Sequence, residues 1–100
     1  MPSKGATLTE ERVGRYIALT AEALKKLKVA APERSFNRTL ADDFLKMARA
    51  YFEDARDFES KGDLVNAFAC INYAHGWLDC GARMGLFDVG GDERLFTLYS

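Results

Sequence analysis

The fold of this chain is decided by residues 48–81, ARAYFEDARDFESKGDLVNAFACINYAHGWLDCG. Apolar residues recur at helical spacing on both sides of Gly62 and Asp63. Glycine tolerates the left-handed conformation that ends a helix, and aspartate caps the first turn of the next one. So short a connection predicts two antiparallel helices that fold back on each other as a hairpin.

The two predicted hairpin helices carry small residues where the opposite helix carries large ones. Folding the chain at residues 62 and 63 predicts these layers: Phe58 on Ala67, Tyr51 on Ala74, Phe44 on Gly81, Ala55 on Ile71 and Ala48 on Leu78. Large side chains opposite small ones let two helices approach closely and fill the space between them. We therefore expect a dense seam along the whole hairpin.

The pattern predicts one domain over residues 1–100, with an all-α fold: a three-helix up-and-down bundle with a short C-terminal tail. The helices are expected at about residues 9–30, 39–61 and 63–84, and the tail at 86–100. Residues 7–10 have the spacing of a capping box, and Pro32 is expected to stop the first helix. Thr39 is the expected cap of the second helix, and Gly85 ends the third.

Composition excludes several classes of protein. The chain has 100 residues, of which 48% are hydrophobic and 29% are charged, so it can bury a core. A net charge of -1 provides no overall field for nucleic acid or for an anionic membrane. No segment approaches the roughly 20 uncharged apolar residues of a membrane span, and the first residues contain no apolar run. We therefore expect a soluble cytoplasmic protein with no membrane contact.

The positions of the two cysteines are consistent with a reducing cytoplasm. Cys70 and Cys80 lie on one predicted helix, about 15 Å apart along its axis. A disulfide needs Cα atoms within about 7 Å, so these residues cannot bridge each other. We expect two reduced, buried and slowly reacting thiols.

Each hairpin helix also has an apolar flank beside the seam, and the flanks lie on opposite faces of the hairpin. One face gathers Leu45, Phe52, Phe68 and Ala82, with His75 at its edge. The other gathers Met47, Cys70, Trp77 and Met84, with Asp54 among them. The first helix can cover only one of these faces. A bare patch of that size is uncommon on a monomer, so the second should be covered by the C-terminal tail, another copy or a partner.

One grouping in the third helix resembles a chemical site. His75, Asp79 and Arg83 recur every four residues and share a face with Asn72. A histidine and a carboxylate at this spacing could form half a metal site or an oriented base. No further ligand stands on that stripe, so we favour a structural role, with an ion pair between Asp79 and Arg83. Asp54, beside apolar residues, is expected to need a hydrogen-bond donor; a catalytic acid is the alternative.

Two other features of the sequence could indicate binding to nucleic acid. Phe52, Phe68, Tyr73 and Trp77 could stack on bases, but aromatic residues at helical spacing without interleaved Lys or Arg are typical of a core. Residues 1–40 hold eight basic and four acidic side chains. These basic residues scatter over several helix faces, which favours a solvated helix surface.

The hairpin carries motifs that resemble one family. They are residues 48–55 (ARAYFEDA), Gly62-Asp63, Ala67-Phe68 and residues 73–79 (YAHGWLD), then Arg83 and Gly85-Leu86. From about residue 10 to residue 88 the chain is similar to a small archaeal family, domain of unknown function 357. The resemblance implies a three-helix up-and-down bundle and an origin in archaeal cytoplasm. It implies no activity.

These observations favour a small, non-catalytic helical interaction or oligomerisation module, with a protein partner or a second copy. No cofactor, metal or nucleic-acid partner is expected. The candidate binding residues are Phe52, Phe68, His75, Trp77, Asp79, Arg83, Leu95, Phe96, Leu98 and Tyr99. The main alternative is a metal- or ligand-binding protein or an enzyme that uses His75, Asp79 and Asp54. A weaker alternative is a nucleic-acid accessory protein that binds through the basic first helix.

Overall fold

Three helices make up most of the structure, a computed structural model that describes residues 7–90. They are α1 (Glu10–Lys26), α2 (Phe36–Ser60) and α3 (Leu64–Arg83). Helices α2 and α3 form the predicted hairpin about Gly62, whose φ of 76° is left-handed. Helix α1 packs on both of them, which confirms the all-α three-helix bundle. None of the helices in the described range is both long and apolar enough to cross a membrane.

A side chain caps each helix at its first turn. Thr9 Oγ1 accepts from the Arg12 amide at 3.1 Å and begins α1, two residues after Thr7, the cap that the predicted box over residues 7–10 implies. Asp63 Oδ1 accepts from the amide of Asn66 at 3.2 Å and begins α3, as predicted. The predicted cap of the second helix is wrong, because Ser35 holds that position.

Helix α2 therefore begins three residues earlier than the sequence pattern indicated. The hydroxyl of Ser35 accepts from the amide of Arg38 at 3.0 Å. Thr39 lies within the first turn, and its hydroxyl donates to the Ser35 carbonyl at 3.4 Å. Serine is a better N-cap than threonine, so capping propensity agrees with the observed start of α2.

Helix α1 ends at Lys26, short of the predicted end near residue 30. The next residue, Leu27, is extended, and strand β1 (Lys28–Val29) pairs antiparallel with strand β2 (Phe87–Asp88). The amide of Ala30 donates to the Leu86 carbonyl at 2.9 Å, which extends this ribbon. Hydrogen bonds to a distant segment thus replace the last helical turn.

The hairpin seam is built from alanines and branched residues that are almost completely buried. Ala55 and Ile71 lie in one core cluster, and Ala48 and Leu78 lie in the other. The layer predicted at Gly81 is wrong, because a side chain there would overlap the ring of Phe87. Phe87, from the segment after α3, therefore fills the space that had been assigned to Phe44.

The segment after α3 also differs from the predicted tail. Leu86 and Phe87 are each only 3% exposed and belong to the core cluster that joins the ends of α1, α2 and α3. The predicted tail thus begins inside the core. Four candidate binding residues, Leu95, Phe96, Leu98 and Tyr99, lie outside the described residues.

Helix α1 covers only one flank of the hairpin, the one that contains Phe52 and Phe68. Val13 and Ile17 share a core cluster with Phe52, and the ring of Tyr16 meets that of Phe68 edge to face at 5.5 Å. The flank that contains Trp77 and Met84 is left without a covering helix in the described part of the chain.

Candidate functional site

A pocket of about 290 Å³ lies between α1 and α3, beside His75. It is lined by Tyr16, Leu19, Thr20, Ile71, Asn72, His75, Gly76 and Asp79. The Nδ1 atom of His75 lies 2.9 Å from Oγ1 of Thr20, a residue that is only 1% exposed. Its Nε2 atom lies 3.8 Å from a carboxylate oxygen of Asp79. The structure therefore brings two of the predicted site residues together, with a buried hydroxyl that the sequence did not indicate.

The chemistry available to this pocket is that of a polar anchor between two helices. The Thr20 hydroxyl donates to or accepts from His75, depending on which ring nitrogen carries the proton. Within residues 7–90, no group of three His, Cys, Asp or Glu side chains is placed to hold a metal ion. Arg83, the third residue of the predicted stripe, is exposed in the last turn of α3.

Asp54 does not occupy the apolar environment expected from the sequence. It is exposed on α2, so its carboxylate needs no buried donor, and the expectation of a buried acid is wrong. Its charge does act on a neighbour, Cys70. Burial raises the pKa of the Cys70 thiol, and the negative charges of Asp54 and Asp63 raise that pKa further.

The cysteines are also more accessible than expected. Cys70 is partly buried, whereas Cys80 is exposed on α3, and both are free thiols. The prediction of two buried thiols is therefore wrong. The sequence pattern placed Cys80 on a helix but could not tell which face of that helix would stay uncovered.

The predicted aromatic binding residues divide between the core and the surface. Phe52 is buried under α1, and Phe68 packs against Tyr16, so neither forms a free surface. Trp77 packs edge to face on Phe44, with ring centroids 5.0 Å apart. Its indole N–H is buried and finds no acceptor among residues 7–90.

A second candidate surface runs along the side of α3 that points away from the core. We call it the outer face and define it by Val65, Ala69, Tyr73, Gly76, Cys80 and Met84. Val65 is 70% exposed, and Tyr73 and Met84 are each 55% exposed. A shallow groove of about 230 Å³ lies at its centre, lined by Tyr73, Gly76, Trp77 and Cys80. All six residues of the outer face are uncharged.

Sequence reasoning missed most of the outer face, although a signal for it is present. Among the 20 residues of α3, only Asp79 and Arg83 carry a full charge. A helix that is apolar on every side is normally buried on every side. The outer face breaks that rule, because α1 and α2 cover only the opposite sides of α3.

The basic residues near the N-terminus make contacts within the chain. The guanidinium of Arg12 lies 5.8 Å from the ring centre of Tyr16, on α1 itself. Arg38 forms an ion pair with Asp42 at 3.2 Å along α2. Two members of the predicted basic group thus have structural partners.

Comparison with known proteins identifies a family but no activity. Residues 15–87 match the family described as Protein of unknown function (DUF357), a region that includes all of α2, α3 and the pocket beside His75. No curated protein and no solved structure gives a significant match. Because the matched region covers more than half of the chain, the chain belongs to the DUF357 family of proteins of unknown function.

Proposed function

We propose that this chain is a small helical interaction module that docks onto another polypeptide through the outer face of α3. The observation that carries the proposal is the exposure of Val65, Tyr73 and Met84 on an apolar helix. Contiguous apolar surface of this kind is uncommon on soluble monomers and is typical of interaction sites.

The outer face also has the anatomy of an interface. An aromatic residue, Tyr73, lies at its centre, and the charged residues of α3 lie toward its edge. Interface centres are enriched in aromatic residues and depleted of charge. The ring of Tyr73 is held edge to face against Tyr51 of α2 at 4.6 Å, so it meets a partner in a fixed orientation.

The contacts of His75 favour a structural role for the pocket beside it over a catalytic one. The Nδ1 atom of His75 is engaged by the buried hydroxyl of Thr20, which ties α1 to α3. This bond gives the histidine a structural role beside the docking surface. We therefore assign the pocket to the scaffold and the outer face to function.

The experiment compares Tyr73→Lys with the control Ala50→Lys, which places the same charge at an exposed site on α2. Each tagged chain is expressed in its own cells, and the native size of the species that contains it is measured in the extract. Circular dichroism of the purified variants verifies that both are folded.

We expect the unmodified chain and Ala50→Lys to elute well above the mass of one chain, 11.2 kDa. Tyr73→Lys should shift to the size of a single chain, because a buried, unpaired charge opposes association. An unmodified chain that elutes alone even from the most concentrated extract, or a Tyr73→Lys variant that elutes with it in the larger species, would refute the proposal.

A further inference from the structure

We infer that the polypeptide docked on the outer face is a second copy of this chain, with the two α3 helices antiparallel across a two-fold axis. This inference rests on the docking role proposed above and names its partner. The residues along the outer face are ordered so that the face is complementary to itself.

The complementarity appears when Tyr73 of one copy is placed over Gly76 of the other. Because the helices are antiparallel, a step of four residues toward the N-terminus of one copy matches a step of four residues toward the C-terminus of the other. Ala69 therefore meets Cys80, and Val65 meets Met84. All six outer-face residues are paired in this single register. A two-fold axis requires this pairing to be reciprocal. If Tyr73 of the first copy contacts Gly76 of the second, then Gly76 of the first must contact Tyr73 of the second.

Gly76 is the residue that the monomer does not explain. It lies inside α3, where glycine is less favourable than alanine, and it does not have a positive φ. Among residues 7–90, a Cβ built there would meet nothing within 4 Å, so packing within that part of the chain does not exclude a side chain. A tyrosine ring from a second copy does exclude a side chain at position 76, because the ring needs the space above the glycine backbone. The pair repeats the large-on-small packing of the α2–α3 seam.

Charge favours the antiparallel arrangement over the parallel one. Asp63 caps the N-terminal end of α3, and Arg83 lies in its last turn. An antiparallel pair brings Arg83 of each copy toward Asp63 of the other, whereas a parallel pair places like charges together. The helix dipoles also oppose each other in the antiparallel pair, which is the favourable orientation.

The contact is short, so the dimer should dissociate on dilution. A helix of 20 residues is about 30 Å long, and a single helix pair buries less surface than a standard stable interface. Association should therefore depend on protein concentration within the range that analytical ultracentrifugation can follow.

The test uses the natural thiol of Cys80 to detect whether position 69 of a second copy lies within disulfide-bonding distance. In the inferred register Ala69 faces Cys80 of the second copy, so Ala69→Cys should form a disulfide-linked dimer rapidly under mild oxidation. The two Cys80 thiols of a dimer would be roughly 16 Å apart along the axis, so the unmodified chain should not form this link. The control Ala69→Cys/Cys80→Ser should also remain unlinked, since two residues at position 69 are equally far apart.

A second variant tests the role of Gly76 without relying on a link. Gly76→Ala should raise the melting temperature of dilute, monomeric protein, because alanine stabilises the helix interior. The same change should weaken dimerisation about tenfold or more, because the new methyl group overpacks the contact with Tyr73. Opposite effects on folding and association are not expected from a purely structural glycine.

The outcomes separate this inference from the docking proposal. The purified full chain could stay monomeric at every concentration while its complex in extract still depends on Tyr73. That result would refute the inference that the partner is a second copy, and the docking proposal would stand. Dimerisation that appears only after removal of residues 91–100 assigns the outer face to that segment and also overturns the inference. Equal linking of Ala69→Cys with and without Cys80 would overturn the register.

Discussion

The bond between His75 and Thr20 is a contact at which a single substitution should leave a buried hydroxyl without its partner. Replacement of a histidine at the edge of a core by alanine costs about 1 kcal/mol or less when no buried group loses its partner. Because Thr20 is 1% exposed, its hydroxyl loses this partner in a buried position, so for His75→Ala we expect a cost of about 1 to 3 kcal/mol.

Urea denaturation of the single and double variants measures this effect. Thr20→Val combined with His75→Ala should cost less than the sum of the two single changes, because both remove one interaction. Strictly additive costs would show that the two side chains do not stabilise each other.

A metal ion at His75 would give a different signature. A ligand that binds only the folded state raises its melting temperature with the logarithm of ligand concentration. We expect no rise with zinc, manganese or magnesium, because His75 and Asp79 supply two ligands at most. Thermal melting with each ion is the measurement. A rise that disappears in both His75→Ala and Asp79→Asn would place the chain among metal-binding proteins.

The two thiols should react at different rates. Cys80 is exposed, whereas burial and the charges of Asp54 and Asp63 raise the pKa of Cys70. The thiolate is the reactive form, so below that raised pKa a smaller fraction of Cys70 is reactive than of an ordinary cysteine, and its rate should keep rising as the pH increases toward the pKa. Mass spectrometry after timed alkylation of dilute, monomeric protein, between about pH 7 and 9, measures each thiol separately. Equal rates at the two cysteines would contradict the assignment of Cys80 to an open face.

At the scale of elements, the α2–α3 seam is built on buried alanines and should tolerate little added volume. Ala48 and Ala74 are completely buried, and Ala50 is exposed on α2. Ala74→Leu or Ala48→Leu should lower the free energy of unfolding by about 1 to 3 kcal/mol, while Ala50→Leu should change it little. Denaturant titration of the three variants provides the comparison. Similar losses of unfolding free energy at Ala50 and Ala74 would show that the seam is not tightly packed at Ala74.

At the scale of the whole molecule, the ribbon formed by β1 and β2 closes one end of the bundle. Phe87 is 3% exposed and fills the space above Gly81, and it is also the last residue of the family match. Phe87→Ala should cost about 3 to 5 kcal/mol, because it leaves a cavity between the helices and the ribbon. Val65→Ala, at an exposed site, is the matched control and should cost far less in the monomer. Calorimetry that finds equal losses would show that the ribbon lies outside the cooperative unit.

The sequence by itself determined the features that depend on near neighbours. The hairpin follows from helical spacing around Gly62 and Asp63, and the Asp63 cap joins residues three positions apart. The same local motifs were sufficient to indicate the DUF357 family. His75 and Asp79 were placed on one face by their four-residue spacing, and the structure puts them side by side.

Only the tertiary structure decided the features that depend on distant contacts. Lys28 pairs with Asp88, and this pairing ends α1 and draws the predicted tail into the core. No local pattern encodes such a contact, because positions 28 and 88 are far apart in the sequence. The two hairpin flanks are similarly apolar, so periodicity could not choose between them. The fit of α1, including the bond from Thr20 to His75, covered one flank and left the outer face of α3 exposed.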